Sequence, residues 1–172
     1  GQQRSATPAQ VLHPSDYKHY LELFRKQEQD ATGELYEGEG TEDTWTWMQR
    51  EIPWFDSSDK SFEEMYYFRW YAWKKHVVRT PAGYLITEWL PKPNLPDYGV
   101  LPDAASFHID EARWLHTGAI AEDYARYWFT PQADPHKYSD ALAATVRDLA
   151  AANGDQSFAV DLLPRLVANY KS

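Results

Sequence analysis

Between Glu51 and His76 nine aromatic residues fall within 26 positions, in the run EIPWFDSSDKSFEEMYYFRWYAWKKH. That density constrains the fold first, because so many rings must be covered by one another or by a ligand. The run also carries helix punctuation. Ser61 and Glu64 stand at capping-box spacing, and Asp59, Glu63 and Glu64 suit the positive start of a helix. Lys74, Lys75 and His76 suit its other end, and Thr80-Pro81-Ala82-Gly83 is expected to stop it. Phe62, Met65, Tyr66, Trp70, Trp73 and Val77 occupy one side, with Tyr67, Phe68 and Tyr71 on another. A helix apolar nearly all round is expected to be buried on all sides. Arg69 within it should then need a ligand or a carboxylate, with Glu111, Glu63 and Glu64 as candidates.

The same run has a functional reading. Flat rings beside carboxylates and bidentate donors match a sugar, whose C–H face stacks and whose hydroxyls need directional partners. Composition narrows the alternatives. Aromatics make up 16% of the 172 residues, which raises the odds of a ligand cleft as well as of a ring-rich core. With 26 acidic against 17 basic residues the net charge is −9, the wrong sign for gripping a phosphate backbone. No run approaches the length of a membrane span, so neither nucleic acid nor a membrane is expected as partner. The absence of cysteine excludes disulfides and thiolate metal sites. Localisation is not fixed; nothing resembles a signal peptide, and the small polar opening GQQRSATPAQ would suit a mature N-terminus of a periplasmic or secreted protein.

Around the aromatic run the chain reads as mainly α. Residues 1–13 are expected to be disordered or extended, with a helical domain over 14–172. Pro14 and Ser15 open a first helix with Tyr17, Tyr20, Leu21 and Phe24 on one face, ending before Gly33. Glu34 to Asp43 is glycine- and acid-rich and reads as loop. Trp45, Trp47 and Ile52 alternate like a short strand, and Tyr84 to Leu90 is a second strand candidate. Four prolines between Pro91 and Pro102 predict a rigid, irregular connection. Four helices follow, at about Ala104–His116, Ile120–Phe129, Tyr138–Ala152 and Ser157–Tyr170. Their short connections, at Thr117-Gly118, Pro131–Pro135 and Asn153-Gly154-Asp155, predict antiparallel α-hairpins. The last helix reaches Ser172 without a glycine cap or proline stop, so the chain reads as a piece of something larger.

Two separated motifs carry a family resemblance. Pro53, Phe55-Asp56, Ser58-Asp59 and Arg69-Trp70 form the first; His108, Glu111, Arg113, Trp114 and Leu115 form the second. Together they resemble the opening of the catalytic domain of six-hairpin (α/α)6-barrel glycosidases, the bacterial group similar to trehalases and processing α-glucosidases. The resemblance is close over about 45–130 and looser beyond. It implies a partial (α/α)6 toroid with a short β element near 84–90, and a glycoside hydrolase using two carboxylates, in the inverting manner. It also implies that the catalytic pair lies beyond Ser172 and that this piece alone is inactive. An oligosaccharide or glycoside is then the expected substrate, no cofactor is implied, and exposed barrel helices could self-associate.

On that reading Trp54, Phe55, Asp56, Asp59, Arg69, Trp70, His108, Glu111, Arg113 and Trp114 are the substrate-binding candidates. Each has a plainer alternative. Asp59 could only cap a helix and Asp56 only close an Asx-turn; Trp54 and Trp70 could be core rings; Arg69 could simply pair with a carboxylate. His108 and Glu111 stand at i, i+3 on one helical face, so they could orient a ligand or satisfy the core. No second such pair exists to make a metal bundle. As acids near aromatics, Asp56, Glu88, Asp110 and Glu111 are the only grounds for placing a catalytic carboxyl within the chain. Two other classes remain open: a non-catalytic carbohydrate-binding protein, and a helical protein-interaction module.

Overall fold

The computed structural model describes residues 11–38, 42–90, 96–133, 135–136 and 141–171. Among the described residues the chain forms seven α-helices, three 3-10 turns and one two-stranded sheet, so it is mainly α as the periodicity predicts. A 3-10 turn over Pro14–Tyr17 leads into α1 (Lys18–Thr32), which buries Tyr20, Leu21 and Phe24. Gly33 ends it in the left-handed region at φ 76°, its N–H donating to Gln29 O. The expected N-terminal disorder over 1–13 lies mostly outside the described residues.

One expected strand is a helix. Trp45 and Trp47 belong to α2 (Thr44–Glu51), whose N-cap Asp43 accepts from Thr46 N at 3.1 Å. Asp43 also pairs with Arg25 at 2.7 Å, tying α2 to α1. A capped start outweighs a two-residue alternation that helical spacing can also produce.

The aromatic helix is α3 (Lys60–His76). Asp59 caps it, its carboxylate accepting from Ser61 N at 3.0 Å and Phe62 N at 3.2 Å, in place of the Ser61–Glu64 capping box. The helix stops at His76, earlier than the proline signal. β1 (Val77–Thr80) and β2 (Gly83–Ile86) then form a hairpin, paired Val77↔Ile86 through Thr80↔Gly83, with Pro81-Ala82 as its turn. The β-branched Val77-Val78 pair favours a strand where the motif's proline had suggested only a stop. The strand expected over 84–90 therefore ends at Ile86.

A second correction concerns exposure. Only one side of α3, with Tyr67, Trp70, Tyr71 and Trp73, is buried; Phe62, Met65 and Phe68 are each about half exposed. Arg69 lies on that open side and its side chain is 65% exposed.

The remaining helices are α4 (Ala105–Ala112), α5 (Ala119–Tyr127), α6 (Leu142–Asn153) and α7 (Gln156–Lys171). The start expected for α6 at Tyr138 lies outside the described residues. α4 packs on both α5 and α6, α6 packs on α7, and α5 lies under β2. Gly83, at φ 110°, is required there: a Cβ would meet Asp123 Oδ2 at 2.5 Å, the atom that accepts from Tyr84 N. One contiguous apolar cluster runs from Leu21 and Met48 through Tyr67 and Ile86 to Ile109, Tyr124 and Leu149. Buried Glu51 joins the two ends of the molecule, its carbonyl accepting from His116 N at 2.8 Å and its carboxylate from the Thr117 hydroxyl at 2.9 Å.

Candidate functional site

The ten sequence candidates fall into three places rather than one. Asp59 is the α3 cap, and Asp56 pairs with Lys60 at 3.3 Å. Trp54 is held in the aromatic cluster, stacked on Tyr17 at 5.8 Å and edge-on to Trp45 at 5.7 Å. Phe55 packs on Tyr66 and Phe62, and its backbone exchanges hydrogen bonds with the Tyr67 hydroxyl. Trp70 is buried against Trp73 and Tyr66. All of these sit at the N-terminal end of α3 or in its core face. Arg69 lies ten residues from Asp59, roughly 15 Å along the axis at 1.5 Å per residue.

Arg69, Glu111 and His108 do come together. The Arg69 guanidinium pairs with the Glu111 carboxylate across the gap between α3 and α4. A pocket of about 320 Å³ opens beside that pair, lined by Phe68, Arg69, Ala72, Trp73, His76, Ile86, Glu88, His108 and Glu111. The third place holds Arg113 and Trp114. Trp114 is exposed, with the Arg113 guanidinium 5.1 Å from its ring centroid, and both line a separate hollow of about 460 Å³ with Asn153 and Asp155. Arg113 is held by Asp110 at 3.1 Å and by Asp148 at 3.7 Å.

Local folding explains how the α3–α4 pocket is built. Helical spacing puts Phe68, Ala72 and His76 along one edge of α3, with Arg69 and Trp73 beside them. His108 and Glu111 project from one face of α4 at i, i+3. Glu88 follows β2 and is fixed through its backbone, its N–H donating to Gly99 O at 3.0 Å. Only glycine fits at 99: φ is 69°, and a Cβ would stand 2.8 Å from the Trp89 ring. Glu88 was legible only as an acid near aromatics, and His76 only as a C-terminal helix charge. Their convergence depends on the β-hairpin that returns the chain beside α3.

The pocket's charges are partly committed. His108 Nε2 lies 2.9 Å from Glu88 Oε1, in contact but without the alignment of a hydrogen bond. The other ring nitrogen of His108 is buried without a partner. Burial pushes this imidazole below its ordinary pKa against the opposing pull of Glu88, and nearby His76 adds to the lowering. His108 is therefore neutral at neutral pH. His76 Nδ1 lies 2.7 Å from Thr87 O, and since a carbonyl can only accept, that nitrogen carries the proton. A pocket with one guanidinium, two carboxylates, two imidazoles and exposed Phe68 can hold several hydroxyls and offer a ring face. Among the described residues no acidic or histidine cluster could hold a metal ion, and no helix is long and apolar enough to cross a membrane.

No curated protein matches the chain. A solved structure titled "Sialidase" superposes on 93% of the chain with a TM-score of 0.82 and 29% identity, and the chain spans 15% of that protein's length. The likeness in fold therefore extends through both the aromatic half and the later hairpins. Over residues 97–172, which include α4 with His108 and Glu111, the sequence matches the "Mannosylglycerate hydrolase MGH1-like glycoside hydrolase domain", and a glycoside hydrolase domain is thereby recognised in this chain.

Proposed function

We propose that the chain is part of the catalytic domain of a glycoside hydrolase, a partial (α/α)6 toroid, and that the pocket between α3 and α4 holds a sugar of its substrate. The observation that carries this is the domain match over 97–172, whose first helix supplies His108 and Glu111 to a pocket completed by Arg69. Phe68 offers a stacking face, and Arg69, Glu111, Glu88 and the imidazoles offer hydroxyl partners. Hydrolysis would use two carboxylates, one protonating the leaving oxygen and the other activating water in the inverting manner. The chain spans 15% of the similar structure, which supports assigning that pair to sequence beyond Ser172 and a substrate-holding role to this piece.

Trp114 and Arg113 would contact a longer glycan from their own hollow, while Asp56, Asp59, Trp54, Phe55 and Trp70 would act through the shape of α3 and its entry loop. A second reading has one observation in its favour. Val160, Leu163, Val167 and Tyr170 leave an apolar stripe exposed on α7, as a helical interaction surface would.

The test is a titration of the chain with neutral mono- and oligosaccharides, followed through the ring resonances of His76 and His108. Arg69→Ala should weaken binding about tenfold or more, the loss of one or two charge-assisted hydrogen bonds, with an unchanged melting temperature because Arg69 is exposed. Equal affinity in the variant removes the pocket from the reading.

A further inference from the structure

Resting on the proposed saccharide pocket, we infer that the site selects neutral or amino sugars and rejects carboxylated ones, and that Glu88 is the residue that sets this preference. The argument is a count of committed charge. The lining holds two carboxylates and one guanidinium, and Arg69 is already engaged by Glu111. Glu88 faces only His108 within ion-pair distance, and that imidazole is neutral at neutral pH for the reasons given above. The pocket therefore carries one uncompensated negative charge. Asp103 adds to the negative potential felt at His108, and no other cation lines the space.

Hydrogen bonding points the same way. Glu88 Oε1 is shielded from water and receives no aligned hydrogen bond, while the side chain as a whole is 29% exposed and lines the pocket. A buried acceptor in this state is satisfied by an O–H or an N⁺–H donor. A sugar hydroxyl supplies the first and an ammonium group the second. A sugar carboxylate supplies neither and adds a like charge in a half-enclosed space, where screening by water is weakened.

The experiment compares three ligands of one ring type: glucose, glucosamine in its ammonium form, and glucuronate, with mannose, mannosamine and mannuronate as a second series. Binding to the chain is followed by the His76 and His108 ring resonances. The expected order is ammonium sugar tightest, neutral sugar next, and carboxylate weakest, with the extremes separated by about tenfold or more. In Glu88→Gln the separation should collapse to within about twofold. Glu111→Gln is the second variant, useful should the first not fold; it frees the Arg69 guanidinium and should raise the affinity for glucuronate above that for glucose. If neutral sugars bind and glucuronate binds as well or better in the wild-type chain, the charge argument is overturned and the saccharide pocket stands. The same holds if the order survives intact in both variants. If no sugar of either series moves the histidine resonances, the saccharide reading fails and this inference with it.

Discussion

The two halves of the molecule solve the same packing problem with different materials. From Tyr17 to Trp73 the core is built of rings: Tyr67 alone touches Tyr17 at 5.0 Å, Tyr20 at 5.4 Å, Trp54 at 5.9 Å and Tyr66 at 5.1 Å between centroids. Polar edges in this half are bound to buried or half-buried charge. The Tyr20 hydroxyl donates to Glu63, and Tyr71 and Lys75 both donate to Glu28. From Ala105 onward the buried residues are largely alanine and branched aliphatics, and α7 buries only Phe158 and Leu162. The ring-rich half is thus a polar-edged jigsaw held by directional contacts, whereas the later hairpins interlock through small residues and keep one face open. The lesson concerns function as much as stability. Aromatic density drew attention to α3, yet most of its rings are spoken for by each other. The residues left free to meet a ligand lie where the two halves join.

The sharpest way to break this contrast is to remove its hub. Tyr67 is fully buried, and its hydroxyl both donates to Phe55 O at 2.7 Å and accepts from Phe55 N at 3.0 Å. Tyr67→Ala should cost about 3–5 kcal/mol, as large aromatic truncations in a packed core do. Denaturant unfolding measures it directly. A loss under about 1 kcal/mol would mean that the rings pack loosely and that the contrast is only one of composition.

Next in size is Glu63, whose buried carboxylate accepts from Ser57 N at 2.8 Å, from Lys60 at 2.9 Å and from the Tyr20 hydroxyl at 2.8 Å. Burial alone would raise its pKa, but these three donors together hold it below the ordinary carboxylate value. A depressed folded-state pKa contributes stability that is present above the unfolded value, near about 4.3, and is lost as pH falls through the folded one. Glu63→Gln should cost about 2 kcal/mol near neutrality, the cost of breaking hydrogen bonds to a buried charge. It should also flatten the acid limb of the stability profile below about pH 4.3. Tyr20, whose phenol is pushed up to about 12 by burial and by Glu63, should titrate lower in the variant. An unaltered acid limb would show that another carboxylate governs the acid transition.

How far the sequence disclosed all this depends on which interaction did the deciding. Helices with a cap and a long periodic face were legible: α1 ends at Gly33 as its glycine predicts, and Asp59 takes the capping role weighed for it. The α-hairpin at 153–155 follows from Asn153-Gly154. Trp45 and Trp47 misled because two residues of alternation cannot separate strand from helix, and the cap that decides the matter, Asp43, sits in an acid-rich stretch that reads as loop. Arg69 was expected to seek a carboxylate and found Glu111, 42 residues away, though on an exposed edge and not inside a core. The pocket itself was only half legible. His108 and Glu111 share a helix face and so could be paired by spacing. Glu88 and His76 reach the pocket through a hairpin whose register no local signal announces.

The smallest expected effect belongs to the other half and sharpens the contrast from that side. Leu163 and Val167 stand one turn apart on α7, 53% and 42% exposed, beside a groove of about 470 Å³ shared with Val146 and Ala150 of α6. Since folding leaves them largely in water, Leu163→Ser with Val167→Ser should change unfolding free energy by only about 0.5 kcal/mol, the range of ordinary surface substitutions. Solution behaviour should respond more. An apolar stripe of this kind favours association between copies at high protein concentration, and the double variant should sediment as a monomer where the parent chain shows a concentration-dependent shift. If both proteins sediment alike while the variant loses several kcal/mol, then the stripe belongs to the folding core, and the later hairpins are closed in the same sense as the aromatic half.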